Sequence, residues 1–550
     1  MQKEANTINN DPDKPLLEMT SRRRWAVTAG VMTGMFIAAL EATVVGTAMP
    51  TVIATLGGLN HYSWVFSAYL VTSTVTVPVW GKLSDLYGRR LLYQIGIGVF
   101  LLGTLLSGLS TSMTQLIVFR AVQGLGAGAL VPLAMTIIGD IFTLRERAKM
   151  QALFSGVWGL SSVVGPVVGG FITDQISWRW VFFINLPIGV VAALIIGIAL
   201  KEPPRYEKPT IDYAGAALLM LAISLLMLAL VEGGASLATI FSPTNILLIG
   251  SAVGLLIGFF LVEKKAKDPI IPFELFRNRT VAVSVGSGFL AGVAMFGAIS
   301  FIPLFAQGAL GATATAAGSL LTPLMLSWVI MSVVGGRLLL KIGYRTIALV
   351  GFVVLTVGFI FLALFERDTP RFWLYVDLVL IGAGLGLTML TLLIAVQQAV
   401  ERTKLGVATS LNQFSRAIGG AFGVAIMGAV LTAGLATELE KAAESGNGVL
   451  SVVQAEQLAS NPNALIDPNG RSELPNEVFD ILQQAMAVSI HRVFWVGAVL
   501  SFLALIVAFW LPKQTDGEIH KTDESSGERM LTAEQTSISA RNQPRSITES

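Results

Sequence analysis

A helix that crosses the hydrocarbon core of a bilayer needs about twenty consecutive apolar residues. This chain contains fourteen such runs, beginning near Trp25, Tyr62, Leu91, Leu116, Ala152, Trp180, Tyr213, Asn245, Val281, Ala316, Thr346, Trp373, Val407 and His491. Composition agrees: 53% of the 550 residues are hydrophobic and 13% charged, against about 25% charged in ordinary soluble domains. The expected fold class is an all-α integral membrane protein of fourteen transmembrane helices, with the lipid bilayer as its solvent.

The basic residues fix a topology. Lys82, Arg89 and Arg90 follow the second run, and Arg145, Arg147 and Lys149 the fourth. Lys201, Arg205 and Lys208 come next, then Lys264, Lys265, Lys267, Arg277 and Arg279. Arg337, Lys341 and Arg345 follow the tenth run, Arg402 and Lys404 the twelfth. The intervening loops at 51–61, 111–115, 232–244 and 306–315 have no Lys or Arg, and Arg179, Arg367 and Arg371 are the exceptions. Cytoplasmic loops carry this excess of positive charge, so both termini are expected in the cytoplasm. Residues 1–24 lack the short apolar core and cleavage site of a signal peptide. They and residues 512–550 read as disordered cytoplasmic tails. One outer loop, 436–490, is long; LATELEKAAES and NEVFDILQQAMAVSIHRVF have helical spacing of apolar residues, giving an expectation of one or two short amphipathic helices there.

Other classes of chemistry find little support. With no cysteine, disulfides, thiolate metal sites and cysteine nucleophiles are excluded. His61, His491 and His520 have no metal-ligand spacing, so no metal and no cofactor is expected. A net charge of +2 is too small to suggest a nucleic-acid partner. No G-x-x-x-x-G-K-[ST] loop is present for an ATP-driven machine. An integral-membrane enzyme would want clustered interfacial carboxylates, and only Glu263, Asp268 and Glu274 come near, in a basic loop that reads as topology.

The chain repeats itself. GKLSDLYGRR at 81–90 aligns with GRLLLKIGYR at 336–345, and QGLGAG at 123–128 has a counterpart in IGAGLG at 381–386. The organisation expected is an N-terminal six-helix half (25–200), two inserted helices with linkers (201–279), and a C-terminal six-helix half (280–511) that contains the outer loop. Internal repeats of this kind build many secondary transporters.

In order along the chain, GKLSDLYGRR, FRAVQGLGAG at 119–128, GPVVGG at 165–170, SWRWVFFINLPIG at 177–189 and LNQFSRAIGGAFG at 411–423 resemble motifs of the major facilitator superfamily, within it the fourteen-helix drug:proton antiporters of the EmrB/QacA type. The resemblance runs over nearly all of 25–511. The opening helix resembles this branch's helix-one signature, with Glu41 where that signature carries Asp. The resemblance implies the major facilitator fold, and a proton-coupled exporter of several lipophilic compounds, not an enzyme. It also implies a bacterial cytoplasmic membrane as the location and a monomer as the working unit. Some relatives use a periplasmic adaptor, which no feature here requires. A dedicated exporter of one metabolite, lipid or siderophore fits the same motifs.

Glu41 sits in an uncharged run that begins at Trp25, where a central charge costs about 2.5–3.5 kcal/mol on insertion scales. At 1.5 Å per residue it lies in the outer half of the first helix, and Arg120 lies in the outer half of the fourth. In the superfamily fold these helices line a central cavity, so the two charges come within reach, as a structural ion pair or as a proton-coupling site. Asp377 falls on a corresponding helix of the second half, where an interfacial reading stands beside a coupling one. Burial raises a carboxyl pKa and a nearby arginine lowers it, so a carboxyl in such a cavity changes proton affinity as the cavity opens and closes. Arg416 reads as structural.

In the first loop motif, Gly81 and Gly88 permit a tight turn and Asp85, with Arg89 and Arg90, can face the positive N-terminal end of another helix. By resemblance that helix is the thirteenth, entered through Leu405 and Gly406, and the group gates the inner side. In helix five, Gly165 and Gly169 form a small-residue face for close packing and Pro166 loosens the helix. The resemblance makes these and Gly170 the antiporter motif, which favours export. Substrate contacts are expected from Phe36, Ile37, Gln123, Met135, Met295, Phe296, Phe301 and Gln307, several of them adaptable in the manner of promiscuous binding surfaces. Few acids lie in the membrane, so lipophilic monocations or neutral compounds are the expected cargo.

Overall fold

Long apolar runs with glycine but few charges can satisfy their backbone in lipid only as helices or a closed barrel, and these fold as helices. The computed structural model describes residues 17, 19–56, 62–202, 212–233, 241–310, 320–365, 370–444, 450–451, 454–455, 458 and 475–513. The tails expected to be disordered lie almost wholly outside the described residues, as do Arg367 and the middle of the outer loop. Among the described residues there is no strand.

The first six helices are α1 (Ser21–Leu56), α2 (Tyr62–Tyr87), α3 (Arg89–Gly108), α4 (Met113–Ile141), α5 (Leu144–Gln175) and α6 (Trp180–Ala199). Then come α7 (Tyr213–Gly233), α8 (Pro243–Glu263) and α9 (Arg279–Gly308). Residues Leu321–Ala363 form a continuous stretch that Gly343 breaks into α10 and α11. The last three are α12 (Arg371–Gln398), α13 (Leu405–Glu444) and α14 (Asn476–Ala508). Twelve of these helices are long and apolar enough to cross a membrane. The other two, α2 and α5, have 26 and 32 residues but carry more polar side chains.

The two largest apolar cores each lie mainly in one half of the chain. One gathers Val31, Tyr93, Phe100, Leu133 and Ile196 from α1, α3, α4 and α6. The other gathers Phe305, Phe352, Phe359, Leu385 and Phe494 from α9, α11, α12 and α14. Helices α7 and α8 pack Leu219 and Phe259 over a seam where Val71 and Val75 of α2 meet Val407 and Leu411 of α13. Gly88 (φ 99°) and Gly343 (φ 76°) are the two residues with positive φ among those described. They occupy equivalent places in GKLSDLYGRR and GRLLLKIGYR, so the sequence repeat is also a repeat of backbone conformation. Their ψ angles are 150° and 161°, a positive-φ extended region that is essentially glycine-only, so a side chain at either would cost about 1–3 kcal/mol.

The basic loops gather at one end of the bundle. There Arg23 Nε donates to the Ala199 carbonyl at the end of α6 (2.6 Å), and Arg24 pairs with Glu146 (3.1 Å). At the opposite end Arg179 stacks on the Trp178 ring (4.4 Å) and donates to the Ser110 carbonyl (3.2 Å), so this exceptional arginine ties two loops together.

The segments expected as separate short helices in the outer loop are instead continuations of their neighbours: α13 runs on through Glu444 and α14 begins at Asn476. Arg492 and Glu438 pair across them at 2.6 Å. Their apolar faces have each other to cover, with Leu435, Leu439, Leu482 and Met486 buried in the same core, so neither needs to lie on a membrane surface.

Candidate functional site

Glu41 is fully buried and Arg120 is 2% exposed, which makes the arrangement of their partners decisive. Glu41 Oε1 accepts from Arg120 Nη1 at 2.5 Å and Oε2 accepts from Asn185 Nδ2 at 2.6 Å. The same Arg120 nitrogen donates to Gln123 Oε1 (2.7 Å), and Nε donates to the Val65 carbonyl (3.3 Å). Gln123 Nε2 passes the chain on to Thr104 Oγ1 (2.8 Å). The guanidinium also lies over the Tyr69 ring, 4.2 Å from its centre. Five helices thus converge on one charge pair: α1, α2, α3, α4 and α6. Charge-assisted hydrogen bonds are about twice as strong as neutral ones, whereas removing one member of a buried pair costs about 3–5 kcal/mol because the other is left uncompensated.

Close to this network α1 meets α5: the hydroxyl of Thr43, two residues beyond Glu41, lies within hydrogen-bond reach of the Leu40 carbonyl of its own helix (2.9 Å) and the Ser161 carbonyl of α5 (3.1 Å), and a Cβ at Gly165 would collide with Thr43 Oγ1. Helix α5 can lie this close to α1 because position 165 has no side chain. Gly169 is buried, whereas a Cβ at Gly170 would meet open space. The helix continues through Pro166.

At the basic end, Asp85 Oδ1 accepts from the Gly406 N–H (3.0 Å) and Oδ2 from the Val407 N–H (2.8 Å). These are the second and third residues of α13, where unsatisfied N–H groups and the helix dipole favour an anion. Arg89 braces the carboxylate (2.5 Å) and reaches Asp140 of α4 as well (3.1 Å). Glu202 accepts from the N–H groups of Arg89 and Arg90 at 2.8 and 3.1 Å. A Cβ at Gly81 would collide with Ser410 Oγ of α13. The counterpart of Asp85 in the second repeat is Leu340, so the carboxylate contact has no twin.

A second contact between the halves lies farther along the bundle, where Gln413 Nε2 donates to Met135 Sδ (2.8 Å). Together with the Asp85 bonds it joins the first six helices to the last six. Both lie toward the basic end. Glu41, about 30 Å along α1 at 1.5 Å per residue, lies well beyond them.

The sequence grouped three charges, and the structure brings two of them together. Asp377 is 1% exposed and both its carboxyl oxygens are buried without a hydrogen-bond partner. It faces α11, where a Cβ at Gly358 would lie 3.5 Å from Oδ1, and it makes no described bond to Glu41 or Arg120. Ile37 packs into the core of the first half and Met295 and Phe301 into that of the second. Phe36 and Phe296 are half-buried. The side chain of Gln307 lies outside those described. Asn185, Thr104, Asp140 and Glu202 were not among the residues expected at either site. Asn185 carried the same signal as Glu41, a polar group in an apolar run.

The sequence profile of the Major Facilitator Superfamily matches residues 31–424. The chain is 38% identical over 508 residues to the "Multidrug transporter protein MdtP" of Bacillus subtilis, covering 89% of this chain and 93% of that protein. It is 37% identical over 490 residues to "Multidrug resistance protein 3" of the same species, covering 88% and 95%. A fungal relative, the "Efflux pump FUS6" of Gibberella moniliformis, is 31% identical over 77% of each chain. The crystal structure of the human organic anion transporter MFSD10 (TETRAN) shares the fold, with a TM-score of 0.59 at 16% identity over 89% of this chain and all of that one. These are transporters, not enzymes, and small molecules are what such proteins handle. With a matching profile over most of its length and relatives covered nearly end to end, this chain is a multi-pass membrane protein that belongs to the major facilitator superfamily.

Proposed function

We propose that the chain is a proton-coupled antiporter that exports lipophilic compounds by alternating access, with Glu41 as the proton carrier. The observation that carries this reading is the fully buried Glu41 held by Arg120 and Asn185, a titratable group whose two protonation states demand different partners. Ionised, it accepts from both. Protonated, it no longer offsets the Arg120 charge, and Arg120 retains Gln123, the Val65 carbonyl and the Tyr69 face. The proton therefore loosens α1 from α4, and the close Thr43–Gly165 contact carries that movement to α5.

In this reading the basic end is cytoplasmic by the distribution of Lys and Arg, the fourteen helices all cross the membrane, and both termini are cytoplasmic. Asp85 holds the inner gate shut while protons reach Glu41 from outside. Substrate enters from the cytoplasm or inner leaflet once the Asp85 bonds open. Each proton entering down 100 mV contributes about 2.3 kcal/mol. Asp377, outside the network, has a packing role. The chain acts as a monomer in a bacterial cytoplasmic membrane. The names of the two Bacillus relatives favour broad over dedicated export, and neutral lipophilic compounds fit the apolar cavity walls. A monocation finds Glu41 already paired and Asp377 turned toward α11.

Purified protein in proteoliposomes with an imposed pH gradient tests the reading. Uphill movement of a neutral lipophilic dye, abolished when the gradient is collapsed, is expected. Dye movement that ignores the gradient would end the antiport reading, and protection against one compound alone in a substrate panel would favour the dedicated exporter.

A further inference from the structure

Helix α13 presents one stripe of residues to the interior of the bundle: Thr409, Gln413, Arg416 and Gly420, spaced at helical intervals on one face. Thr409 accepts from Gln397 of α12 (3.2 Å), Gln413 crosses to Met135 of the other half, and Gly420 lies under the Phe296 ring of α9. Arg416 sits between the last two, one turn beyond the place where the halves touch and about 16 Å from the start of α13 at 1.5 Å per residue. Its stripe faces three other helices, not lipid.

The guanidinium there is unusual in having no counter-charge. It makes no ion pair among the described residues. Its one described hydrogen-bond partner is the thioether of Met389, at 3.7 Å, a weak acceptor. Arg120, by contrast, has a carboxylate, an amide and a carbonyl. Arg416 is half-buried. An arginine inside a membrane protein pairs with an acid or lines an aqueous path, and no acid is supplied here. Beside it, Gln413 Oε1 is buried without a partner, and Phe296, Met389 and Met135 offer aromatic and polarizable surface.

We infer that Arg416 is a substrate-binding residue that pairs with an anionic group on the cargo, so that the transporter takes amphiphilic aromatic anions, carboxylates or sulfonates, beside neutral compounds. The inference rests on the export reading above and reverses the charge preference that the scarcity of membrane acids suggested: the unpaired charge on this inward stripe is positive. The guanidinium fork receives the oxyanion, and Phe296 with the two methionines receives the ring system.

The test uses two probes of nearly the same shape, anilinonaphthalene sulfonate and its neutral sulfonamide, in proteoliposomes with an imposed pH gradient. Wild type should move both. Arg416→Gln should cut sulfonate flux by about 10- to 100-fold, the value of a hydrogen bond to a charged group, and leave sulfonamide flux within about twofold on the same scale. Arg416→Lys should restore part of the sulfonate flux. Met389→Glu gives Arg416 an internal partner and should mimic Arg416→Gln without leaving the site empty, which covers the case in which Arg416→Gln fails to fold. Equal loss of both probes, unchanged sulfonate flux in Met389→Glu, or a wild type that carries the sulfonamide alone would each overturn the inference. Should neither probe respond to the gradient, antiport falls; Arg416-dependent binding of the sulfonate to purified protein, read by its fluorescence, would still uphold the anion site, and Arg416-independent binding would remove it.

Discussion

Removing the Asp85 carboxylate should open the basic end of the bundle, and the structure sets the size of the effect. Two hydrogen bonds join α13 to α2, the Gly406 and Val407 N–H groups each donating to one oxygen of the Asp85 carboxylate. A hydrogen bond to a charged group is worth about 1.5–3 kcal/mol net, so the pair contributes about 3–6 kcal/mol on that scale. The Arg89 pair is left out of the sum, because Arg89 and Asp85 belong to the same half and move together. Shifting a two-state equilibrium from 1:99 to 99:1 takes about 5.5 kcal/mol, so Asp85→Ala supplies from about half to all of such a shift. The chain has no cysteine, which makes Ser410→Cys a clean reporter: Ser410 is fully buried beneath Gly81. Its maleimide labelling should be slow in the parent and faster by about a hundredfold or more in Asp85→Ala, from the lower end of that range at 1.4 kcal/mol per decade. Asp85→Asn, which keeps one acceptor oxygen, should fall between. Equal labelling rates in all three would show that the carboxylate does not hold the gate.

Three further outcomes follow from the same geometry. Gly88→Ala and Gly343→Ala should each destabilise the protein by about 1–3 kcal/mol, because both hold positive-φ backbone that is essentially glycine-only, seen as a drop in the detergent melting temperature at both positions; a drop at one position alone would break the equivalence of the two repeats. Asp377→Asn should keep gradient-driven dye uptake near the wild-type rate, and loss of uptake would return Asp377 to the coupling site. Glu438→Gln should cost no more than about 1 kcal/mol, because its pair with Arg492 is partly exposed and screened by salt; a melting shift that persists undiminished in high salt would show a larger role.

The helices were legible because length and apolarity alone dictate them, and the beginnings at Tyr62, Trp180 and Tyr213 coincide with those in the structure. Helix ends were less so. The start expected at His491 lies within α14, which begins at Asn476, because polar residues beyond the bilayer still extend a helix that finds a neighbour to pack against. Charges in apolar runs pointed to Glu41 and Arg120, but nothing in the spacing said which way Asp377 faces. A residue on a cavity helix can equally turn toward the helix behind, and Gly358 leaves room for it to do so. Asp140 and Glu202 escaped notice because their meaning depends on Arg89, which only the fold brings to them. Arg416 read as structural from sequence; its lack of a carboxylate is a property of the packed bundle.

If Glu41 couples protons to substrate, Glu41→Gln separates coupling from transport. In proteoliposomes, the variant and wild type are compared in gradient-driven uptake of a neutral lipophilic dye and in exchange of dye across vesicles without a gradient. Glu41→Gln should keep exchange and lose uphill uptake, since the substrate path survives while the proton carrier does not. A Glu41→Gln protein that still concentrates dye at the wild-type level under the gradient would reduce Glu41 to a structural partner of Arg120.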